Sequence, residues 1–521
     1  MIEVLNRLKR GIPMQKGAAT SEGTSRYAHR HPSLTYRTLG ATGLLVSEAG
    51  VGAYRIDNSD EEHKKALYKA LLSGINLIDT SSNYGDGCSE ELIGEVLNRL
   101  EQENRLHRDE VLIVTKAGYL QGKNLRLSRQ REAQGRSFAE LVPFDPDLAH
   151  CIHPEFLEEQ LTGSLNRLQV STVDLFLLHN PEYYLKWARH EGIPFGEARR
   201  EYLRRIKTAF RYLEDEFKRG RIGAYGISSN SFPLPASDYE HTPLEEIWHS
   251  ACAISLDHHF RVIQFPLNLI ERGGVTEKNQ SGRSSVLCFA REKGLAVLTN
   301  RPLNAFIGNQ LLRLAEVDIE EEKTADDVKR CLAHLGRLEE YLALQILSVH
   351  KMAIGKANDI QAKLSASEML DEQWLRFTNP IQWEEAQVRY IVPTIQDGMD
   401  LLLTHKWHRR PPEIVDWANE YAEALNQAFE TITAVLQART AEKTTKIKKR
   451  LEAVEPDWTG TDTISQAALR VLRSTEGVTT VLVGMRRREY VDDVLTELNR
   501  PITVKDRGAS WKHLDSLSEL A

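Results

Sequence analysis

A carboxylate, a phenol, an amine and an imidazole stand in that order along the chain as Asp79, Tyr84, Lys116 and His179. Each falls at or just past the end of an apolar run that reads as a buried β-strand: "INLIDTSSNYG", "VLIVTKAG" and "VDLFLLHNP". Residues leaving the C-terminal strand ends of a parallel barrel converge on one site. A phenol with a pKa of about 10 donates a proton poorly at neutral pH. A lysine ammonium beside it stabilises the phenolate and is expected to pull that value down. An aspartate paired with the lysine keeps the amine charged and oriented, and a histidine across the pocket can hydrogen-bond a substrate oxygen or share the proton. The set suits a tyrosine that protonates a carbonyl oxygen as hydride reaches the carbon, or deprotonates an alcohol in the reverse sense. No side chain supplies hydride, so a cofactor has to. Singly, each residue has a structural explanation: a helix cap, a loop anchor, a solvated strand end, a turn cap. Their joint placement at successive strand ends is what favours catalysis.

The elements that would position them alternate regularly from Tyr36 onward. Eight short β-branched or aliphatic runs ("VSEAGVGAYRI", "NLIDTS", "VLIVTKAG", "VDLFLLH", "IGAYGISS", "RVIQFPLN", "LAVLTN" and "TTVLVGM") are separated by helical patterns, the signature of βαβ units. Among the helices, "SDEEHKKALYKALLSG" is expected to start on Ser59 and stop at Gly74, and "SEELIGEVLNRL" to start at Ser89. The pattern predicts an α/β fold, a (β/α)8 TIM barrel with an all-α inserted subdomain. No GxGxxG turn follows a strand, so the doubly wound dinucleotide fingerprint is missing; "GDGCSE" after Tyr84 reads as a loop leading into a helix.

The seventh and eighth runs lie about 180 residues apart, far beyond ordinary βα spacing. The gap is polar and helical. Val328, Leu332, Leu335, Leu342, Ile346 and Val349 form one apolar stripe, and Ile414, Trp417, Tyr421, Leu425, Ala428, Ile432 and Val435 a second, with Pro411 and Pro412 suiting its first turn. Further helices are expected around Trp374 and over 390–403, where Pro393 starts or kinks the helix. These stripes predict a helical bundle. The expected division is an N-terminal extension over 1–33, barrel strands one to seven over 34–303, the helical insertion over 304–463, barrel closure over 464–505 and a tail over 506–521. Leaving the barrel on its catalytic face, the insertion is expected to roof the pocket or to serve self-association or docking of a protein partner.

Composition narrows the class. A formal net charge of -7, with 41% apolar and 27% charged residues, is ordinary globular material without a nucleic-acid footprint. Five scattered cysteines with no CxxC spacing point to a reducing compartment and no metal site. No apolar run approaches the roughly 18 residues of a membrane span. The first 33 residues lack the apolar centre of a secretory signal; they read as an arm on a cytoplasmic protein, with a transit peptide as the alternative that Glu3 opposes.

Six segments in order resemble the aldo-keto reductase superfamily. "YRTLGATGLLVSEAGVGAY" is similar to its N-terminal hairpin and first strand, "GINLIDTSSNYGDGCSEELIGEVL" to the motif carrying its Asp and Tyr, and "VTKAG" to its Lys segment. "SLNRLQVSTVDLFLLHNPE" resembles the stretch ending in its His, "KRGRIGAYGISSNSF" its fifth-strand region, and "VLVGMRRREYVDDVL" its final strand and cofactor-binding helix. The resemblance covers roughly residues 35–303 and 464–500 of this chain.

It implies a nicotinamide-dependent oxidoreductase of a small carbonyl or alcohol substrate, with Tyr84 as acid/base. The alternative implied is a non-catalytic NADP(H)-binding sensor or regulatory subunit that docks a partner through the insertion. By position, Ser228, Ser229, Asn230 and Gln264 would meet the nicotinamide amide, with Ser229 or Asn230 pointing inward. Asn300, Arg301 and Leu303 would meet the pyrophosphate, and Gly484, Met485 and Arg486 the adenosine phosphate. Leu267 stands where an aromatic commonly stacks on the nicotinamide. Arg486 matches the residue that meets a 2′-phosphate, which favours NADP(H) over NAD(H), whereas the second basic position is occupied by Tyr490.

Overall fold

The computed structural model describes residues 15–307, 310–314, 322–349, 352–407, 411–515 and 517; the first fourteen residues of the N-terminal arm lie outside the described residues. Strands β1 (Tyr36–Thr38) and β2 (Leu45–Ser47) form an antiparallel hairpin with Tyr36 opposite Ser47. Strands β3 (Ala49–Gly52), β4 (Leu77–Asp79) and β5 (Leu112–Ala117) begin the barrel. The chain then detours through β6 (Tyr119–Leu120), β7 (Val142–Asp145) and β8 (Leu148–His150), a separate three-stranded antiparallel sheet. Strands β9 (Val173–His179), β10 (Ile222–Ser228), β11 (Phe260–Pro266) and β12 (Ala296–Asn300) follow, then the pair β13 (Asn304–Ile307) and β14 (Gln310–Arg313), and last β15 (Thr480–Val483). The barrel closes in the order β10-β11-β12-β15-β3-β4-β5-β9, with parallel pairing throughout. All eight expected strands are therefore barrel strands.

The strand pleat sorts the residues. Leu77, Leu112, Val114, Leu175, Leu177, Ala224, Val262, Ala296, Leu298 and Leu482 form one buried cluster, joined from the hairpin by Leu39 and Val46. These barrel residues are spaced by two along each strand, so they fill the interior and leave the intervening side chains to the helices outside. The hairpin plugs the N-terminal end: Ala41 N–H donates to Gly294 O, just ahead of β12. There a buried ionic network joins the ends of the chain. Glu48 pairs with Arg37 at 2.6 Å and with Arg473, and Arg473 also pairs with Glu497 at 3.0 Å.

Local details depart from expectation where a neighbouring residue is the better partner. The second-run helix spans Glu61–Leu72 and is capped by Asp60, whose carboxylate accepts from Glu62 N–H at 2.8 Å; Ser59 turns instead to Asp57. The next helix starts at Cys88 rather than Ser89. In the N-terminal arm, helix Ser21–Arg30 is tied to Asp109 and Glu110 by Arg26. In the C-terminal segment, the short helix Gly508–Lys512 buries Trp511, whose indole N–H donates to Thr475 Oγ1 at 2.9 Å.

Two compact units separate: one built from the chain up to Ala305 and from Leu451 to Leu517, the other from Phe306–Arg450. The second is helical apart from its opening strands. Helix Ala325–Tyr341 starts in a capping box of Thr324 and Asp327 and continues into a π-helical turn, Leu342–Leu347. Both apolar stripes meet in one core, in which Trp417 indole N–H donates to Leu338 O at 2.9 Å and Tyr421 hydroxyl to Leu364 O at 2.9 Å. Val349 is the exception: helical structure stops at Leu347, and Val349 sits exposed in the turn beyond. The long helix runs Ile414–Val454, so Pro411 and Pro412 precede its first turn rather than form it. Two helices, Ile354–Leu364 and Pro380–Ala386, carried no stripe long enough to read.

Breaking the buried ionic network should be costly, because Arg473 is shared by two buried carboxylates, and removing it leaves Glu48 to Arg37 and Glu497 to Arg470 with part of their buried acceptor capacity unmet. Arg473→Met is expected to lower unfolding free energy by about 3–5 kcal/mol, read as a reduced denaturant midpoint.

Candidate active site

The pleat that packs the interior also aims the site. Lys116 is in phase with Leu112 and Val114 on β5, His179 with Leu175 and Leu177 on β9, and Asp79 with Leu77 on β4. Each is the last inward-facing position of its strand. Tyr84 arrives separately, five residues past Asp79, on a turn whose Gly85, Asp86 and Gly87 all have left-handed backbone. That run reverses the chain, and Asp86 is received by the Lys123 N–H at the start of helix Gly122–Ala133.

The four side chains converge. Lys116 Nζ is completely buried and donates to Asp79 Oδ2 at 2.8 Å, to Thr80 O at 2.7 Å and to Tyr84 Oη at 3.3 Å. The ring of His179 stands edge-on to that of Tyr84, with centroids 5.9 Å apart. Ser81 hydroxyl donates to Asn83 Oδ1 at 2.6 Å, so His179 Nδ1, 3.0 Å from the same oxygen, is the donor there. The proton on Nδ1 leaves Nε2 with a lone pair and no protein partner among the described residues. From behind, His150 Nε2 donates to His179 O at 2.7 Å. A Cβ on Gly118 would lie 2.3 Å from that carbonyl, so only glycine lets the two strands approach.

Burial sets the electrostatics. It opposes the charge on Lys116, but Asp79 and Tyr84 outweigh it, and the ammonium is held above the ordinary lysine value. Burial raises Asp79 despite Lys116. It also raises Tyr84 above its ordinary value, which corrects the expectation that Lys116 pulls the phenol down: the ammonium lowers it, but by less than burial lifts it. The phenol is therefore kept protonated, the state a proton donor requires. Burial, then Lys116 and His150, holds His179 well below the usual imidazole range, so it is neutral at physiological pH.

The positions expected to meet a cofactor divide. Ser228 and Asn300 are the last inward residues of β10 and β12, Gln264 is the inward residue two before the end of β11, and all three join the four: Ser228 Oγ donates to Gln264 Oε1 at 2.8 Å, Asn300 Nδ2 donates to it at 3.3 Å, and Gln264 Nε2 donates to Asp79 Oδ1 at 2.8 Å. Ser229 is out of phase and its hydroxyl lies among Ser231 and Thr242 at 3.1 and 3.0 Å, outside the barrel. Asn230 is exposed, with its N–H donating to Glu182 Oε1 at 2.8 Å. Arg301 is turned to Glu271 at 2.8 Å, Leu303 is half-buried, and Leu267 is fully buried. Gly484 is exposed beyond β15, where a Cβ would project into open space; Met485 is buried, so only its backbone is available. Arg486 is half-buried with no ion pair among the described residues.

Sequence reasoning missed Ser81, His150 and the aromatic Tyr119, whose ring lies 4.7 Å from that of His179. Ser81 sits inside the Asp–Tyr segment and was within reach of inspection. His150 and Tyr119 belong to the detour sheet, whose strands of two to four residues show no period in the sequence.

Residues 49–237 match the Aldo/keto reductase family. Relatives include aldo-keto reductase YhdN of Bacillus subtilis, 30% identical over 51% of this chain and 61% of its own length. The match to the Aldo/keto reductase family thus spans barrel strands β3 to β10. The NADH-specific methylglyoxal reductase of Escherichia coli is 29% identical over 27% of this chain and 40% of its own length. The L-galactose dehydrogenase of Arabidopsis thaliana is 31% identical over 30% and 48%. The chain thus spans about half the length of these curated relatives. No helix among the described residues is long and apolar enough to cross a membrane.

The buried histidines predict acid sensitivity. Burial pushes His150 down to about 4, so between its unfolded pKa of about 6.5 and that value the unfolded chain binds a proton the folded chain does not. Stability should fall as pH drops through this window, by up to about 1.4 kcal/mol per pH unit for each such histidine. His150→Gln, which keeps a donor for His179 O, should flatten that slope in denaturation curves taken across the window.

Proposed function

We propose that this chain is a nicotinamide-dependent oxidoreductase of small carbonyl or alcohol substrates, with Tyr84 as its proton donor and acceptor. The observation that carries this reading is a fully buried lysine that donates at once to Asp79 and to the Tyr84 hydroxyl, with His179 beside it. The match of residues 49–237 to the Aldo/keto reductase family supports it independently.

The residues present fit such a cofactor. Asn300 Oδ1 at the end of β12 and Ser82 Oγ in the loop after β4 are buried without a hydrogen-bond partner among the described residues, and Gly484 has open space where a Cβ would stand. Asn300 and Ser228 would hold the nicotinamide amide, and the Gly484–Met485 backbone with Arg486 the adenosine phosphate. When bound, the nicotinamide supplies or accepts hydride at the substrate carbon.

The protein's own residues manage the proton. In reduction, Tyr84 protonates the carbonyl oxygen, and the Lys116 ammonium stabilises the phenolate left behind. Asp79 balances the lysine charge in a site that excludes water. His179 offers Nε2 as an acceptor, which orients a substrate hydroxyl toward Tyr84. In alcohol oxidation the same phenolate takes the proton back.

Two tests bear on this. With a panel of aldehydes, ketones and sugar-like alcohols followed by nicotinamide absorbance, Tyr84→Phe should lower kcat by about 10²–10⁴ while cofactor affinity stays within a few-fold. Full activity in that variant would refute the role of Tyr84. NADP(H) is the preferred cofactor on this reading, because the Arg486 guanidinium, without an ion pair among the described residues, suits a 2′-phosphate. Arg486→Leu should then raise the KM for NADPH about tenfold, corresponding to about 1.4 kcal/mol, and leave that for NADH unchanged. Equal effects on both would remove the preference.

A further inference from the structure

The proton donor sits on an unusual turn. Tyr84 is followed by Gly85, Asp86 and Gly87, all with left-handed backbone, and Gly87 opens helix Cys88–Gln102 without any side-chain cap. Glu90, in the first turn of that helix, is completely buried and takes no part in the proton chemistry. Its Oε1 accepts from the Thr115 hydroxyl on β5, and its Oε2 accepts from Nε of Arg167, on helix Pro154–Leu168, at 2.7 Å. Arg167 Nη2 also stands 2.7 Å from that oxygen. The Arg167 side chain runs against Gly87: a Cβ there would lie 2.7 Å from Arg167 Cδ and 2.8 Å from Nε. Thr115 immediately precedes Lys116, and on a strand the two side chains point to opposite faces. One carboxylate therefore ties together the helix behind Tyr84, the strand that carries its lysine, and a second helix. Ser89 adds a smaller tie, its hydroxyl bonded to Thr80 Oγ1 at 2.9 Å and to Ala53 O at 3.1 Å.

We propose that Arg167 is a positioning residue for the proton donor: through Glu90, and by contact with Gly87, it holds the turn that sets the Tyr84 hydroxyl at Lys116. The inference rests on Tyr84 as the proton donor. Consecutive left-handed residues, one of them not glycine, persist only where the surroundings over-determine them. One support of the turn is Asp86, whose carboxylate accepts from Lys123 N–H at 3.3 Å, but that contact is exposed and water competes for it. The support at Glu90 is buried, and a carboxylate there is tolerated only with its cation in place. Arg167 supplies that cation and fills the space against Gly87 at once. The bond from Lys116 to Tyr84 is the longest of the three that the ammonium makes, 3.3 Å against 2.8 and 2.7 Å, so a small shift of the turn breaks it first.

The test is a double-mutant cycle on the full chain, with NADPH and whichever aldehyde of the panel is reduced fastest. Arg167→Ala should lower kcat about tenfold at saturating NADPH, with NADPH affinity by fluorescence titration within about threefold. In a Tyr84→Phe background the same change should alter the residual kcat by less than about twofold, because the group it positions is gone. Arg167→Lys, which keeps the stem and the charge facing Glu90, should recover kcat to within about threefold of the wild type. Hydrogen exchange gives a readout free of catalysis. The Asp86 and Cys88 amides, bonded to Asn83 O and Tyr84 O, should exchange at least about tenfold faster in Arg167→Ala, with the amides of β5 unchanged. If Arg167→Ala does not fold, Gly87→Ala meets the same contact from the other side and should give the same pattern in both readouts. An equal loss of kcat in the two backgrounds, or unchanged exchange in the turn, would overturn the proposal. Full activity in Tyr84→Phe would sink the role of Tyr84 and this inference with it, whereas an impaired Tyr84→Phe with multiplying losses sinks the inference alone. Should the wild type turn over no carbonyl, the oxidoreductase reading falls, and the exchange comparison still decides whether Arg167 holds the turn.

Discussion

In a closed eight-stranded barrel every second side chain of each strand points inward, and there is no edge at which a strand can slip. That alternation governs the molecule. Inward Leu, Val and Ala, at most two to a strand in this cluster, fill the interior from the hairpin plug of Leu39 and Val46 upward, and the inward positions toward the C-terminal strand ends are the ones that reach the mouth. Asp79, Lys116, His179, Ser228, Gln264 and Asn300 all occupy such positions. A shift of one residue on any strand would exchange a site residue for one that faces the helices, as Ser229 shows beside Ser228.

The same layer explains the chemistry. A lysine ammonium without water contact is tolerated only if its donors are satisfied, and here three acceptors take them: a carboxylate, a backbone carbonyl and a phenol. Pairing keeps the amine charged and burial keeps the phenol protonated. The imidazole is neutral because it is buried and because the Lys116 ammonium nearby opposes a second positive charge. At the opposite end of the barrel, the Arg37–Glu48–Arg473–Glu497 network ties residues from the first and last parts of the chain together, so the insertion between β12 and β15 does not leave the final strand without an anchor.

The helical unit depends on its own core rather than on the barrel's. Its two stripes enclose Trp383 and Trp417 and share buried hydrogen bonds between helices. A sequence can sustain such a unit inside a barrel because a long insertion adds little loop-closure entropy once its ends are fixed by folded structure.

Much of this was legible beforehand. Eight apolar runs, their order, and the chemistry of Asp79, Tyr84, Lys116 and His179 can be read from local pattern, because strand and helix periods are properties of short segments. The helical stripes were legible for the same reason, failing only at Val349, where a π-turn and a helix end interrupt the period. Ser228 over Ser229 follows from pleat phase once the strand end is known. Other features were decided only by the tertiary structure. Gln264 and Asp79 stand 185 residues apart, and nothing in either segment names the other as partner. The detour sheet that brings His150 behind His179 uses strands of two to four residues, too short to show a period. The direction of the Tyr84 shift depended on a balance between burial and the opposed charges of Lys116 and Asp79, and burial is a property of the folded whole. Residue order determined which groups could do the chemistry; long-range packing determined which of them touch and in what protonation state.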